Sequence, residues 1–367
     1  MIVRDESPVI SRCLKSVKPI IDYWVIVDTG SLDGTQEIIR NEMRDIPGEL
    51  HERPWVDFSH NRGEALSLAK GKGDFALLID ADEQVILEKG FQMPELTEDI
   101  YLVDVNLGLL AAYRELLINN HLEWYWEGVL HEQILCRTPL EKFSTLKGIR
   151  NFSLPDGNRS LDADKFHKDL DVLKKGLQKE PNNSRYVFYI AQTLAALGQF
   201  QEALEYYERR SNMGGWHQEI YQSLYRIGFM QEMLSSNRHT IIQSYAKAYE
   251  YMPLRAEPVF RISYQYYCLG QFAEAKRIAD IGMKIPFPNP EAAFYIEPTI
   301  YQSWLLKLYA DCCFDLGEAR EANEAYRKIA ENSSLSEEAQ QEIRSNLILM
   351  NNQYSLKENI IPRRIQF

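Results

Sequence analysis

The sequence predicts an α/β domain followed by an all-α region of repeated helix pairs. Three observations lead there. Up to about residue 150, short apolar runs alternate with helical stretches. Beyond about residue 160, strand-like runs disappear. Finally, the phrase L-G-Q-F followed by E-A occurs at Leu197 and again at Leu269, 72 residues on, about twice a 34-residue helix-pair repeat. At 367 residues the chain is also long for one domain.

In the first part, "YWVIVDTGS" reads as a strand through the β-branched Val25, Ile26 and Val27, then a turn. "LDGTQEIIRNEMR" and "HNRGEALSLAKG" read as helices, and "DFALLIDADE" and "IYLVDVNLGL" as further strands. Near-continuous apolar strands alternating with helices imply a mostly parallel sheet covered on both faces. Such sheets bind ligands beyond the carboxyl ends of their strands, where Asp28, Asp80 and Asp82 fall. Ser31 or Thr35 is a candidate cap for the next helix, and Asp33-Gly34 reads as a plain turn.

In the second part, "RYVFYIAQTLAALGQFQEALEYYERRS" and "PVFRISYQYYCLGQFAEAKRIADIGMKIP" are each two amphipathic helices joined at a glycine. A third copy carries Leu316-Gly317, and the block ending at Tyr251-Met252-Pro253 fits as a divergent repeat. Ala203, Ala275 and Ala322 recur where helices must approach closely, and the glycines permit the tight turn. The expected boundaries are 1–155 for the α/β domain, 156–350 for tetratricopeptide-like repeats and 351–367 for a tail.

The formal charge of −12 argues against a generally basic nucleic-acid surface. Five scattered cysteines without a C-x-x-C pair suggest reduced thiols. No run is long and apolar enough to span a membrane, and "MIVRDESPVI" lacks a signal-peptide core. A cytoplasmic protein is the default expectation. The absence of a glycine- and lysine-rich loop near the start weighs against a nucleotidyltransferase.

The chemistry concentrates at "GDFALLIDADEQ", where an apolar run delivers Asp80, Asp82 and Glu83 to one tip. Carboxylates so close repel. A divalent cation would relieve them, and oxygen ligands suit Mg²⁺ or Mn²⁺ bridging to a diphosphate. Alone, D-x-D is common and equally consistent with a solvated strand end.

The ordered set "MIVRDE", "VIVDTGSLDGT", "DFSHNRGEAL", "FALLIDADE" and "YWEGVLHE" resembles the bacterial and viral family 2 glycosyltransferases that carry a C-terminal tetratricopeptide array. The resemblance extends through most of the chain. It implies a GT-A nucleotide-diphospho-sugar fold, a nucleotide-sugar donor (a UDP-sugar first), inversion and a divalent metal. On this resemblance Val3, Arg4, Asp5 and Asp28 contact the nucleobase. Arg62 lies near base and D-x-D, Asp80 faces ribose and metal-bound water, and Asp82 ligates the metal. His131 is a candidate third ligand; Mn²⁺ tolerates imidazole.

Inverting transfer needs a base for the acceptor proton. Glu132 ranks first, beside the candidate ligand, with Glu127 and Asp156 behind it. No E-D dipeptide stands where many inverting relatives keep their base. Glu6 is read as structural. Arg159 and Lys165 are candidates for the diphosphate or for an interdomain ion pair, and Trp124 and Trp126 for core or a sugar wall. The family's first strand usually begins before "MIV", so a short first strand is expected, with nucleobase contacts weakened if residues are missing. The acceptor is a protein or glycan presented to the repeats. The alternative is a peptide-binding scaffold with an inactive domain, its groove including the aromatics of "YYERRSNMGGW".

Overall fold

The computed structural model describes residues 1–107, 110–289 and 293–331. The expected tail, 351–367, lies outside them. Two compact units emerge: Met1–Ser235 with Pro288–Ile296, and Ser236–Phe287 with Glu297–Phe367.

The first unit begins with β1 (Ile2–Val3), α1 (Ile10–Val17), β2 (Trp24–Asp28), α2 (Thr35–Glu42), β3 (Gly48–Glu52) and α3 (Phe58–Ala69). β1, β2 and β3 form a parallel sheet in that order. As the sequence suggested, β1 is short, only two residues. Val27 is fully buried, and Ile26, nearly so, packs with Ile10, Leu14 and Ile39 of the covering helices. Burial of each such side chain contributes about 1.5–3 kcal/mol.

Next come β4 (Phe75–Leu77), β5 (Glu83–Leu87), β6 (Ile100–Leu107), β7 (Leu110–Asn119), the β8 (Trp124–Glu127) and β9 (Gln133–Cys136) hairpin, and β10 (Phe143–Ser153). The second sheet runs β4-β7-β6-β10-β5. Only β6 and β10 pair in parallel; the other three pairings are antiparallel. This corrects the expectation of a mostly parallel sheet. β7 follows β6 almost at once, and so short a connection permits only antiparallel pairing.

The helices α4 (Lys165–Lys179), α5 (Ser184–Ala196), α6 (Phe200–Ser211) and α7 (His217–Met233) complete the first unit. Their core of Leu173, Val187, Phe188, Ile190 and Leu194 takes in Leu130 from the β8–β9 loop. The Tyr186 hydroxyl accepts a hydrogen bond from the Val129 amide (3.2 Å). The β8–β9 loop and helices α4–α7 therefore share one core.

The second unit holds α8 (Arg238–Tyr251), α9 (Glu257–Cys268), α10 (Phe272–Met283), α11 (Leu305–Asp315) and α12 (Ala319–Ala330). The repeated L-G turns behave as the spacing predicted. Gly198, Gly270 and Gly317 adopt φ of 73°, 72° and 77°. In each turn the next amide bonds back to a carbonyl five residues earlier, Gln199 to Leu194, Gln271 to Tyr266 and Glu318 to Cys313. Such left-handed C-caps satisfy helix-end carbonyls that would otherwise be orphaned. Ala203, Ala275 and Ala322 are fully buried. Among the described residues no helix is long and apolar enough to cross a membrane.

Candidate active site

The site is built at the carboxyl end of β2, where two loops are stitched together. The Asp5 amide donates to Ser31 Oγ (2.9 Å), the Glu6 amide to Thr35 Oγ1 (2.8 Å) and the Ser7 amide to Asp33 Oδ2 (2.9 Å). In return the Leu32 amide donates to Asp5 Oδ1 (2.7 Å). Ser31 and Thr35 therefore clamp the loop rather than cap α2, while Asp33 accepts the Thr35 amide (3.0 Å). Asp5 pays for this arrangement with a left-handed φ of 54°. Of the expected nucleobase contacts, Val3 is buried with its carbonyl accepting from Thr29, and Arg4 is exposed.

Asp28 is fully buried. Its Oδ1 accepts the Gly30 and Ser31 amides, each at 2.8 Å. Its Oδ2 is buried with no partner among the described residues. A buried carboxylate oxygen left unpaired is costly, and a ligand N–H would relieve it.

Asp57 caps α3 by accepting the His60 amide (2.7 Å), and buried Asn61 pins the preceding loop through Val56 and Pro54. This helix aims Arg62 at the acidic tip. Arg62 Nη2 stands 2.7 Å from Asp80 Oδ1, and Nε stands 2.5 Å from Glu132 Oε1. The Nε contact is a charge contact without hydrogen-bond alignment, since that N–H finds no aligned acceptor. The Trp126 ring lies 5.1 Å from the guanidinium, adding a cation–π contact.

The carboxylates of the tip differ in state. Burial works to raise Asp80, but Arg62 and Arg114 outweigh it and hold the group below the usual range. Asp82 is pushed up to about 6 by burial, then by the charges of Asp80 and Glu83. Glu83 is structural: it accepts the Asp80 amide (3.0 Å) and pairs with Arg114 (2.6 Å).

Glu6, read from the sequence as structural, joins the tip. Burial first, then Asp82, pushes it up to about 7, although it accepts the Asn158 amide (3.1 Å). A Cβ placed on Gly157 would lie 3.0 Å from Asp82 Oδ2 and 3.1 Å from Glu6 Oε2. The bare glycine thus leaves the two carboxylates facing one small space. No local sequence signal marks this, because residues 6, 82 and 157 meet only through the fold.

Three expected roles need correction. Among the described residues no three His, Cys, Asp or Glu side chains are placed to hold a metal, so His131 does not join Asp80 and Asp82. Its ring lies flat on Tyr189 (4.0 Å, 13°) and its φ is 53°. Packing, then the charges of Arg185, Arg159 and Lys165, lowers the imidazole's pKa and favours its neutral form. Glu132 is held against Arg62 as a charge partner instead of standing clear as a base, because Gly128 (φ 116°) folds the loop tightly back. Asp156 makes a bidentate pair with Arg12, both contacts 2.7 Å, which holds it below the usual range.

Of the other candidates, Glu127 sits exposed at the end of β8. Arg159 pairs with buried Asp169 and lies 4.3 Å from the Phe58 ring. Trp124 donates to the Asn119 carbonyl (2.8 Å). A cavity of about 480 Å³ is bounded by β2, β4, α1 and α3; Leu14, Val17, Trp24, Phe75 and Ile79 line it together with the site residues Arg62 and Trp126 and the polar Asp22, Lys72 and Asn120.

Residues 1–89 match the Glycosyl transferase family 2 model. A TPR repeat-containing protein of Synechococcus elongatus is 43% identical over 89 residues, 24% of this chain and 21% of that protein. The SPbeta prophage-derived glycosyltransferase SunS of Bacillus subtilis is 24% identical over 228 residues, 58% of this chain and 52% of that protein. The chain thus spans about a fifth and about half of these relatives' lengths. Among solved structures, MamA aligns with a TM-score of 0.38 at 16% identity, over 46% of this chain and 90% of that one. That likeness is too loose to bear on function; the helix pairing rests on this chain's own turns.

Proposed function

We propose that the N-terminal sheets, of which residues 1–89 carry the family 2 match, form a divalent-metal-dependent inverting glycosyltransferase using a nucleotide-sugar, a UDP-sugar first. The observation that carries this reading is the orphaned Asp28 oxygen beside the stitched loops. A carboxylate can only accept, and an imide N–H such as that of uracil supplies the missing donor. The acidic tip fits a hard cation: Asp82 and Glu6 offer oxygens only, and both resist ionisation without a positive charge.

In this reading Asp82 would hold the Mn²⁺ or Mg²⁺, Asp80 would share Arg62 with the ribose side, and Arg62 would set the distance between Asp80 and Glu132. The metal's contribution is to neutralise the departing diphosphate. The acceptor oxygen attacks the anomeric carbon as the bond to the diphosphate breaks, and a carboxylate takes the acceptor proton. Glu132 serves there only if Arg62 releases it. Single-turnover transfer by Glu132→Gln tests this: an unchanged rate would exclude Glu132 as the group that takes the proton.

The first test is calorimetry of UDP and GDP with Mn²⁺ against the full chain. Metal-dependent UDP binding, abolished by Asp82→Asn with the circular dichroism spectrum unchanged, is expected. Absence of binding by either nucleotide would overturn the proposal. It would favour the scaffold reading, for which the internal neutralisation of Asp80 by Arg62 is the specific support.

A further inference from the structure

The cavity bounded by β2, β4, α1 and α3 lies between two strand edges that carry unpaired backbone. β4 pairs with β7 and with no other strand. The Leu78 amide donates to the Leu116 carbonyl (2.7 Å), and the Asn120 amide to the Asp74 carbonyl (2.8 Å). Backbone groups alternate in direction along an antiparallel strand. Asp74, Ala76 and Leu78 therefore face β7, while Phe75, Leu77 and Ile79 turn their amides the other way. Those three amides have no backbone partner among the described residues, and all three residues line the cavity.

β2 forms the opposite edge. β1 pairs with it only at Val27 and Asp28. Further back, the Met1 amino group donates to the Val25 carbonyl (3.3 Å). The Val25 amide points to the same side and has no backbone partner there among the described residues. The slot between the edges is walled by Leu14 and Val17 of α1, Leu66 and Ala69 of α3, and Met93 and Leu96. Asp22, Lys72 and Asp74 line it where β2 and β4 begin, so its mouth is polar. From Phe75 to Ile79 it has the length of about five extended residues, at about 3.3 Å each.

Two kinds of occupant fit so apolar a space. An acyl chain would fill it and leave the amides of Val25, Phe75, Leu77 and Ile79 buried without acceptors, which is costly. An extended peptide supplies carbonyls to both edges at once. Apolar walls around it call for apolar side chains at successive positions. We propose that the slot binds a separate polypeptide segment of about five apolar residues, as a strand in line with β1 and parallel to β2, inserted between β2 and β4. The segment joins the three-stranded and five-stranded sheets into one. It is a structural strand, distinct from any acceptor, and the inference holds whether or not the sheets transfer sugar.

The test uses the full chain and the peptide fluorescein-Gly-Lys-Lys-Val-Ile-Val-Ile-Val-amide, read by fluorescence anisotropy. Saturable binding is expected. The same peptide with proline at both isoleucines stays apolar but loses two amide donors and should bind about tenfold more weakly. Decanoate should not displace the parent peptide. Hydrogen exchange then locates the strand. Saturating peptide should slow the amides of Val25, Phe75, Leu77 and Ile79 about tenfold, and leave those of Ala76 and Leu78, which already face β7, nearly unchanged. Absence of binding, equal binding by the proline peptide, displacement by decanoate, or protection spread evenly along β4 would overturn the proposal.

Discussion

Glu6→Gln should make the metal-free protein more stable at pH 8, although it removes a charge from a polar site. Glu6 is half-buried and raised from 4.5 to about 7, first by burial and then by Asp82. Between those pH values the folded protein holds a proton that the unfolded chain has released. Its stability contribution is therefore complete below pH 4.5 and lost as pH rises through 7. The full displacement corresponds to about 3 kcal/mol. Solvent screening of a half-exposed group reduces that to about 1 kcal/mol. Glutamine stays neutral throughout and can still accept the Asn158 amide. The variant should thus exceed the parent by about 1 kcal/mol at pH 8 and match it at pH 4.5. Urea unfolding in chelator, followed by tryptophan fluorescence, reads this directly, because Trp24, Trp55, Trp124, Trp126 and Trp216 all lie in the first unit. A variant less stable than the parent at pH 8, or an offset equal at both pH values, would refute the reasoning.

Two further outcomes follow from the same geometry. Arg62→Met strands Asp80 and Glu132 without their shared cation and should cost about 3 kcal/mol at pH 7 by urea melt. Adding Glu132→Gln should recover part of that, and no recovery would mean that Glu132 is not the partner. Gly157→Ala places a methyl 3.0 Å from Asp82 Oδ2 and should weaken Mn²⁺-dependent UDP binding about tenfold with little change in melting; unaltered affinity would separate that loop from the site.

The helix-pair turns and the acidic tip are encoded locally. A glycine after leucine at 198, 270 and 317 is a local demand for positive φ, and a local demand is written in local residues. The delivery of Asp28, Asp80 and Asp82 to strand ends was legible for the same reason. The second sheet was not. "LAAYRELLIN" is rich in helix formers, yet it runs as β7 because β4 and β6 flank it with unpaired backbone. Side-chain roles that depend on distant partners were also beyond reading: Glu132 meets Arg62, Glu6 faces Asp82 across Gly157, His131 lies on Tyr189 and Gln222 grips residue 294. Charge and hydrogen-bond energies fall off within a few ångströms, so which groups share that distance is settled by tertiary packing.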